Sequence, residues 1–297
     1  MPDTRFKGRI IKGISGFYYV YVVGAGLYEC KAKGAFRNKG MKPLVGDYVT
    51  ISVTDEAKKL GNVDEIHTRK NDLIRPNVAN VDQALVIFAA SKPVPNLNLL
   101  DRFLVMMDYE ELPVVICFNK IDLCENGEAE ELRDIYERAG FKVLLTSVKE
   151  NIGIDELKEI LKDKTTTVAG PSGVGKSSLT NSLQKDIVME TGALSEKIER
   201  GKNTTRHSQC IPIFENTYLM DTPGFSSLMA PEIEAEDLRL YFPEFLEHMD
   251  NCRFQGCIHM NEPDCAVKDA LQKGIISESR YDNYRLIYEE IKERKKY

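Results

Sequence analysis

A short glycine-rich segment in the middle of the chain restricts the possible folds more than any other feature. Residues 170–177 read GPSGVGKS, follow the apolar segment TTTVA and precede the helix-forming segment KSSLTNSL. This pattern predicts a phosphate-binding loop, because glycines let backbone N–H groups close around phosphate oxygens and the helix N-terminus adds the positive end of its dipole. A chance glycine-rich turn is the alternative, and the strand–loop–helix context disfavours it.

The pattern also assigns roles within the loop. Lys176 is predicted to reach the β- and γ-phosphates, and Ser177 is predicted to bind Mg²⁺. The predicted nucleotide contacts in this segment are Gly170, Pro171, Ser172, Gly173, Val174, Gly175, Lys176, Ser177 and Ser178.

A second motif selects the base. Asn119-Lys120-Ile121-Asp122 follows the apolar strand PVVICF, so we expect it at the carboxyl edge of a parallel sheet, where ligands bind. It matches the N-K-x-D pattern of GTPases. The Asp122 carboxylate can accept from both N1–H and the exocyclic amine of guanine, whereas with adenine an unpaired group would cost about 1–3 kcal/mol. Asn119 is predicted to tie this loop to the phosphate loop, and Lys120 to cover the base.

Two weaker motifs complete the predicted site. Residues 146–149, TSVK, resemble the S-A-K loop of GTPases, in which a backbone amide meets guanine O6; Ser147 and Val148 are the predicted contacts. Residues 221–224, DTPG, resemble D-x-x-G, in which Asp221 holds Mg²⁺ through water and the Gly224 amide senses the γ-phosphate. A Pro-Gly turn at a strand end is the alternative for DTPG.

Between the phosphate loop and DTPG lies GKNTTRH, residues 201–207. A threonine here is predicted to close over Mg²⁺ and the γ-phosphate. Both Thr204 and Thr205 fit this role, and Thr205 is favoured. Residues 186–210 lack apolar periodicity, as expected for a segment that the γ-phosphate orders.

The motifs occur in a permuted order. The base-reading motifs at 119 and 146 precede the phosphate loop at 170 and DTPG at 221, whereas an ordinary GTPase begins with the phosphate loop. The site in space can be unchanged, because the termini of such a domain can be joined and the chain reopened elsewhere. Strands and helices alternate through this region, which predicts a parallel sheet with helices on both faces.

The N-terminal region has a different pattern. Residues 6–70 read as five short strands separated by glycines and Pro43, which predicts a small closed barrel of the OB type; an SH3-like barrel gives a similar pattern. Residues 1–70 carry 13 Lys/Arg against 7 Asp/Glu, whereas the whole chain has 40 against 46. A basic segment on an acidic chain indicates either a module that faces a polyanion or a lysine-rich solvated surface. Residues 71–80 read as a linker.

Three of the seven cysteines lie close together near the C-terminus. Cys252, Cys257, His259 and Cys265 read C-x4-C-x-H-x5-C, and three thiolates with one imidazole suit a closed, structural zinc site. The spacing is not the common C-x2-C, so three buried cysteines and a surface histidine are the alternative. A closed site leaves no position for catalysis at the metal.

The permuted order, the barrel before it and the cysteine cluster after it resemble the RsgA (YjeQ) family of GTPases that depend on the small ribosomal subunit. The resemblance covers essentially the whole chain. It implies a bacterial GTPase that binds the 30S subunit and its 16S rRNA late in maturation, with hydrolysis stimulated by the subunit. It also implies that the four residues of the cysteine cluster bind zinc and that the basic residues flanking them contact ribosomal RNA.

The residue after DTPG bears on hydrolysis. Many GTPases place a glutamine there to orient the attacking water, but Phe225 cannot do so, and we expect slow intrinsic turnover. His207, a ribosomal group or a bound monovalent cation are candidates for that role, and His207 with Thr205 are the predicted catalytic residues. An exposed histidine without a catalytic role is the alternative for His207.

These observations combine into a multi-domain α/β prediction. It comprises an OB-type barrel over residues 1–70, a circularly permuted P-loop GTPase domain over 71–231 and a helical zinc-binding domain over 232–297. The leading function is a GTP hydrolase, forming GDP and phosphate, that assists 30S maturation. The alternatives are an RNA-binding protein that uses GTP only as a switch, and a small-molecule P-loop kinase, against which NKID and TSVK argue.

Location and assembly follow from what the sequence lacks. No apolar run approaches the roughly 20 residues that cross a bilayer, and the N-terminus has no signal-peptide core. We therefore expect a cytoplasmic protein without membrane contact. We also expect a monomer, since the sequence has no coiled-coil pattern, with Mg²⁺ accompanying GTP and one structural zinc per chain.

Overall fold

The computed structural model describes residues 5–34, 36, 41–73, 77–190, 208–214, 216–221 and 231–294, with residues 185–190 described by their backbone. The chain divides into two compact units. The first comprises residues 1–83, 159–168 and 180–224, and the second comprises residues 84–158, 169–179 and 225–297. The three domain limits drawn from the sequence stay a prediction.

Five strands of the first unit close into a barrel. They are β1 Arg5–Ile14, β2 Phe17–Val22, β3 Gly26–Ala32, β4 Tyr48–Asp55 and β5 Leu60–Ile66. β1 pairs antiparallel with β2 and β4, β2 with β3, and β4 with β5, while β3 runs parallel to β5, so the ring of hydrogen bonds is complete. The predicted five-stranded barrel is thereby confirmed. Its core buries Ile10, Val20, Tyr28, Val49, Ile51 and Val63.

The segment predicted as a linker is packed. It contains a short antiparallel pair, β6 Asp72–Leu73 and β7 Val78–Ala79, and both residues of β7 are fully buried. Gly46 approaches this strand so closely that a Cβ on it would lie 2.1 Å from the carbonyl oxygen of Ala79. The chain adopts this arrangement because it removes two apolar side chains from water.

Parallel strands carry the nucleotide motifs. In the second unit, which contains all of β8 Gln83–Ala89 except Gln83, β8 runs parallel to β9 Val114–Asn119, and β9 runs parallel to β10 Lys142–Thr146. They alternate with α1 Leu97–Tyr109, α2 Glu128–Arg138 and α3 Ile154–Leu161. Every residue of β8 is buried, as expected for a strand with elements on both faces.

The first unit holds all but the last residue of the strand that leads into the glycine-rich loop. β11 Thr165–Ala169 runs parallel to β13 Thr217–Asp221, and β12 Gln209–Phe214 pairs antiparallel with β13. α4 Lys176–Glu190 follows β11. All five residues of β11 are buried, so the strand fixes the point at which the loop begins.

Helices form the C-terminal part of the second unit. A 3-10 helix, Ala235–Tyr241, is followed by α5 Pro243–Met249, α6 Ala266–Gln272 and α7 Glu278–Arg294. α7 buries Tyr281, Tyr284, Ile287 and Ile291 in an aromatic core that also contains Phe242 and Phe245. Over the residues that the structure describes, no helix combines the length and the apolar character needed to cross a bilayer.

A buried charged cluster joins this core to α1. Arg280 donates from Nη1 to Asp101 Oδ1 at 2.6 Å, and from Nε and Nη2 to the two Glu244 oxygens at 2.7 and 3.0 Å. Tyr136 and Asn283 donate to the Asp101 oxygens at 3.0 and 2.6 Å. Burial raises the pKa of Asp101, against the opposing effect of Arg280. Charged groups held out of water need several partners, and here residues of α1, α2, α5 and α7 supply them to one another.

Candidate nucleotide-binding site and metal centre

The glycine-rich loop between β11 and α4 uses backbone conformations that favour glycine. Gly170, Gly173 and Gly175 have φ angles of +134°, +82° and +97°, a region in which a Cβ is strained. A Cβ on Gly170 would also lie 2.0 Å from the carbonyl oxygen of Ile87. The backbone path of the loop therefore favours glycine at these three positions.

The loop delivers its donors to the start of α4. The Lys176 ammonium donates to the carbonyl oxygens of Gly170 and Pro171 at 2.8 and 2.6 Å, which holds it against the loop. Ser177 and Ser178 are exposed in the first turn of the helix. A cation, hydroxyl groups and the positive end of a helix dipole together make an environment suited to a polyphosphate.

The base-reading motif is hydrogen-bonded directly to this loop. Asn119, at the end of β9, donates from Nδ2 to the Val174 carbonyl at 2.9 Å and accepts from the Thr146 hydroxyl at 3.0 Å. Lys120 adopts the left-handed conformation and donates to the Gly173 carbonyl at 2.6 Å. Three motifs that are separate in the sequence thus meet through two side chains, in agreement with the tie predicted for Asn119.

The Asp122 carboxylate is fixed from one side. The Ser147 hydroxyl donates to Asp122 Oδ1 at 2.7 Å, and Lys149 Nζ lies 3.6 Å from Oδ2. The Ser147 hydrogen bond is the largest cause that lowers the pKa of Asp122, and Lys149 adds to it. The carboxylate is therefore ionised and acceptor-only, as recognition of two N–H donors requires.

The Ser147 amide is already engaged. It donates to the Ile152 carbonyl at 3.0 Å, which closes the turn after β10. The sequence predicted both Ser147 and Val148 as contacts of this loop; in the structure the Ser147 side chain orients Asp122, and Val148 borders the cavity.

A cavity of about 390 Å³ lies where these motifs meet. Its lining consists of Asn119, Lys120, Asp122, Leu123, Val148, Lys149, Gly175 and Ser178. Six of these eight residues were predicted from the sequence. Leu123 and Lys149 were not predicted. Each directly follows a predicted residue in the sequence, and this position is the signal from which they could have been identified. Ile121 begins the 3-10 turn Ile121–Leu123 and is not part of the lining.

The remaining predicted residues are placed in part. Asp221 is the exposed last residue of β13 and lies opposite Val168 of β11 in the parallel register. Thr204, Thr205, His207 and Gly224 lie outside the described residues, so the switch predictions and the catalytic prediction stay predictions.

The cysteine cluster brings four donor atoms together. The sulfur atoms of Cys252, Cys257 and Cys265 and one ring nitrogen of His259 lie within 4.8 Å of one another. Cys252 Sγ is 3.9 Å from Cys265 Sγ, and His259 Nδ1 is 3.7 and 3.4 Å from these two sulfurs. Tetrahedral zinc with ordinary bond lengths would separate two sulfurs by about 3.8 Å and sulfur from nitrogen by about 3.5 Å. The donor set and its spacing therefore fit zinc.

The surroundings of His259 suit it to act as a zinc ligand. Burial lowers the pKa of His259 to about 4, so the imidazole is neutral, as a ligand must be. Its Nε2 is buried without a hydrogen-bond partner among the described residues, and Nδ1 is the nitrogen that faces the thiols. The Tyr281 hydroxyl donates to the His259 carbonyl at 2.6 Å, and the Phe245 ring packs edge-on against the imidazole.

Two family models match the chain. The RsgA N-terminal domain matches residues 7–60, and the RsgA GTPase model matches residues 66–231. Two curated relatives carry the name small ribosomal subunit biogenesis GTPase RsgA. The relative from Agathobacter rectalis is 62% identical over 98% of this chain and 99% of its own length. The relative from Alkaliphilus metalliredigens is 49% identical, again over 98% and 99%.

Solved structures agree with this result. YjeQ from Thermotoga maritima superposes with a TM-score of 0.79 at 37% identity, covering 97% of this chain and 99% of YjeQ. YloQ, described as a circularly permuted GTPase, superposes with a TM-score of 0.74 at 39% identity, covering 98% and 96%. The predicted fold class, including the permutation, is confirmed by these matches.

Proposed function

The chain belongs to the RsgA family of GTPases, and on that premise we propose that it hydrolyses GTP in the biogenesis of the small ribosomal subunit and that binding of the 30S subunit accelerates the hydrolysis. One observation carries the nucleotide part of the proposal. An ionised Asp122 lines the same cavity as Gly175 and Ser178 of the phosphate loop, so a guanine reader and a phosphate binder lie within reach of one ligand. A small-molecule kinase has no need of this pair.

Different residues are proposed to contact the base and the phosphates of GTP. Asp122 accepts from guanine N1–H and the exocyclic amine, and the Val148 amide faces guanine O6. Lys120 covers the base, and Asn119 keeps both loops in register through the Val174 carbonyl. The backbone amides of residues 170–175 and the Lys176 ammonium bind the phosphates, and they stabilise the negative charge that develops on the γ-phosphate during transfer to water.

Oxygen donors are available for a magnesium ion. Ser177 offers an exposed hydroxyl in the first turn of α4, and Asp221 an exposed carboxylate at the end of β13, and hard oxygen ligands are what Mg²⁺ prefers. With Thr205 they are the proposed holders of the ion, which would neutralise phosphate charge. The Gly224 amide is the proposed sensor of the γ-phosphate.

Water activation is the step in which the subunit would act. Phe225 follows DTPG where many GTPases have glutamine, and a phenyl ring cannot orient water by hydrogen bonding. Turnover of the free protein is therefore slow, and His207, beside the switch threonines, is the proposed group that the 30S subunit brings into position. A ribosomal group or a monovalent cation would be needed if His207 does not act.

The cysteine cluster is the proposed structural zinc site, in which zinc cross-links the loop between α5 and α6. All four ligands come from protein, so no open position is left for substrate. Because the proposed partner is a ribosomal subunit with its 16S rRNA, the protein would work in the cytoplasm, and we propose that it acts as a monomer.

Measuring GTP turnover with and without purified 30S subunits tests the proposal. We expect stimulation of at least about tenfold, with Lys176→Ala as an inactive control. Turnover that 30S subunits leave unchanged would contradict it and favour a GTP-switched RNA-binding protein. If unlabelled GTP displaced bound nucleotide no better than ATP does, the assignment of Asp122 as a guanine-recognising residue would be wrong. His207→Ala is expected to lose stimulation while retaining GTP affinity; unchanged stimulation would exclude His207.

A further inference from the structure

The strand that ends in Asp221 is attached to the barrel. β12, the antiparallel neighbour of this strand, also pairs with β1 of the barrel. Side chains alternate between the two faces of a strand, so Tyr218 and Met220 of β13 share one face and Asp221 lies on the other. The Met220 methyl group lies so close to Gly46 that it would be 2.6 Å from a Cβ at that position. The barrel therefore contacts the face of β13 that is opposite Asp221.

Arg9 of β1 contacts the same face of β13 through its guanidinium group. The guanidinium carbon is 4.8 Å from the ring centroid of Tyr48, its cross-strand neighbour on β4, and 4.3 Å from the ring centroid of Tyr218. Arg9 is only 2% exposed. Its Nε donates to the Gly46 carbonyl at 3.2 Å, and its Nη2 donates to the Asn80 carbonyl at 3.3 Å. Backbone carbonyl groups thus hold the cation in place against a ring of β13.

Hydrogen bonding alone does not account for an arginine at this position. The Nη1 atom of Arg9 is buried without a hydrogen-bond partner among the described residues, and an unpaired buried donor costs free energy. The face of an aromatic ring attracts a cation more strongly where water is excluded. The attraction between Arg9 and the Tyr218 ring therefore ties a buried charge of the barrel to β13, three residues before Asp221.

We propose that Arg9 is a positioning residue for the magnesium ion: by holding Tyr218 it fixes the end of β13 and with it the direction of the Asp221 carboxylate. This inference rests on the proposed function, in which Asp221 helps to hold Mg²⁺. Hydrogen bonds to β11 and β12 hold the two edges of β13, and Arg9 holds one of its faces. Groups that orient a metal ligand without touching the metal commonly change metal affinity about 10–100-fold when they are mutated.

The test measures how the full-length protein binds a fluorescent, non-hydrolysable GTP analogue, both in a titration with magnesium chloride and in EDTA. Arg9→Met keeps much of the side-chain volume and removes the cation. We expect the Mg²⁺ concentration at half-maximal binding to rise at least about threefold in this variant. The affinity for the analogue in EDTA should stay unchanged, because without the metal the direction of the Asp221 carboxylate no longer matters. A purely structural role of Arg9 would lower the affinity in both conditions.

Two substitutions of Tyr218 test the ring separately. Tyr218→Leu should raise the Mg²⁺ requirement as Arg9→Met does, whereas Tyr218→Phe retains the ring and should bind like the original protein. Arg5→Met is the matched control, because Arg5 lies on the same strand as Arg9, is 62% exposed and pairs with Asp64 at 3.9 Å. No change is expected for it. Asp221→Asn shows the effect of losing the carboxylate itself.

The outcomes separate this proposal from the proposed function. If Asp221→Asn raises the Mg²⁺ requirement and the folded Arg9→Met and Tyr218→Leu variants do not, the positioning role is overturned. Equal loss of affinity with and without Mg²⁺ would also overturn it. An unchanged Mg²⁺ requirement in Asp221→Asn would instead refute the magnesium role that the proposed function gives to Asp221. Circular dichroism checks the folding of each variant, and if Arg9→Met does not fold, the comparison of Tyr218→Leu with Tyr218→Phe decides.

Discussion

Replacing Arg280 by methionine is expected to lower the free energy of unfolding by about 4 kcal/mol. Arg280 is 1% exposed and makes three hydrogen bonds to Asp101 and Glu244, whose side chains are 0% and 6% exposed. Methionine fills much of the volume but leaves two buried carboxylates without their cation. Removing one partner of a buried ion pair typically costs about 3–5 kcal/mol, most of it from the charge left behind.

The pH dependence of this loss has a defined sign. Burial raises the pKa of Asp101, while Arg280 acts to lower it, so removing Arg280 raises that pKa further. A carboxyl group with a raised pKa stabilises the folded state at acid pH, and the stability is lost as the pH rises through the folded-state pKa. The variant should therefore be less destabilised at about pH 5.5 than at about pH 7.5.

Urea unfolding followed by tyrosine fluorescence measures the effect, because the chain has 13 tyrosines and no tryptophan. Arg285→Met is the matched control. Arg285 lies on the same helix, is 56% exposed and pairs with Asp282 at 3.8 Å, so a loss under about 0.5 kcal/mol is expected. In a double-mutant cycle, Glu244→Gln should recover part of the loss caused by Arg280→Met. A loss below about 1 kcal/mol for Arg280→Met, or strict additivity in the cycle, would refute the reasoning.

Three further predictions concern the sites. Gly170→Ala should abolish GTP binding in calorimetry, because the added Cβ would lie 2.0 Å from a backbone oxygen. Gly173→Ala has nothing within 4 Å of its added Cβ, so it should weaken GTP binding only about tenfold, through backbone strain alone. Equal loss of GTP binding in the two variants would contradict this reasoning. Ser147→Ala removes the main cause of the lowered pKa of Asp122, so the carboxylate is protonated more readily as the pH falls. The GTP affinity of this variant should therefore fall more between about pH 7 and pH 5 than that of the original protein. Parallel pH profiles of GTP affinity would contradict this prediction. Cys265→Ser should lose the zinc, measured by atomic absorption, and lower the melting temperature of the C-terminal helices; full zinc content in the purified variant would exclude Cys265 as a ligand.

The sequence predicted the candidate site best in segments where a motif requires particular residue types at fixed spacing. Residues 170–177 and 119–122 predicted the phosphate loop and the base reader, because the chemistry of each tolerates few residue types at fixed spacing. The barrel followed from alternation and turn residues, although the fit of Gly46 against Ala79 turned a predicted linker into packed structure. Leu123 went unpredicted because it belongs to no motif, and Lys149, the last residue of the TSVK motif, because only its position beside the cavity marks it as a lining residue.

Residue types and their spacing along the chain were enough to predict the local chemistry: a loop suited to phosphate, a carboxylate suited to guanine, a set of thiols and imidazole suited to zinc, and a permuted order that leaves these groups intact. How these groups are held depends on contacts between distant parts of the chain, which the sequence does not reveal. Asn119 reaches a carbonyl 55 residues away, and Arg280 reaches a carboxylate 179 residues away. The spacing of a motif reflects only residues that are close in the sequence. The partners of Asn119 and Arg280 are distant in the sequence, and these polar groups pair with them because a buried polar group must form hydrogen bonds with the groups that the fold places beside it.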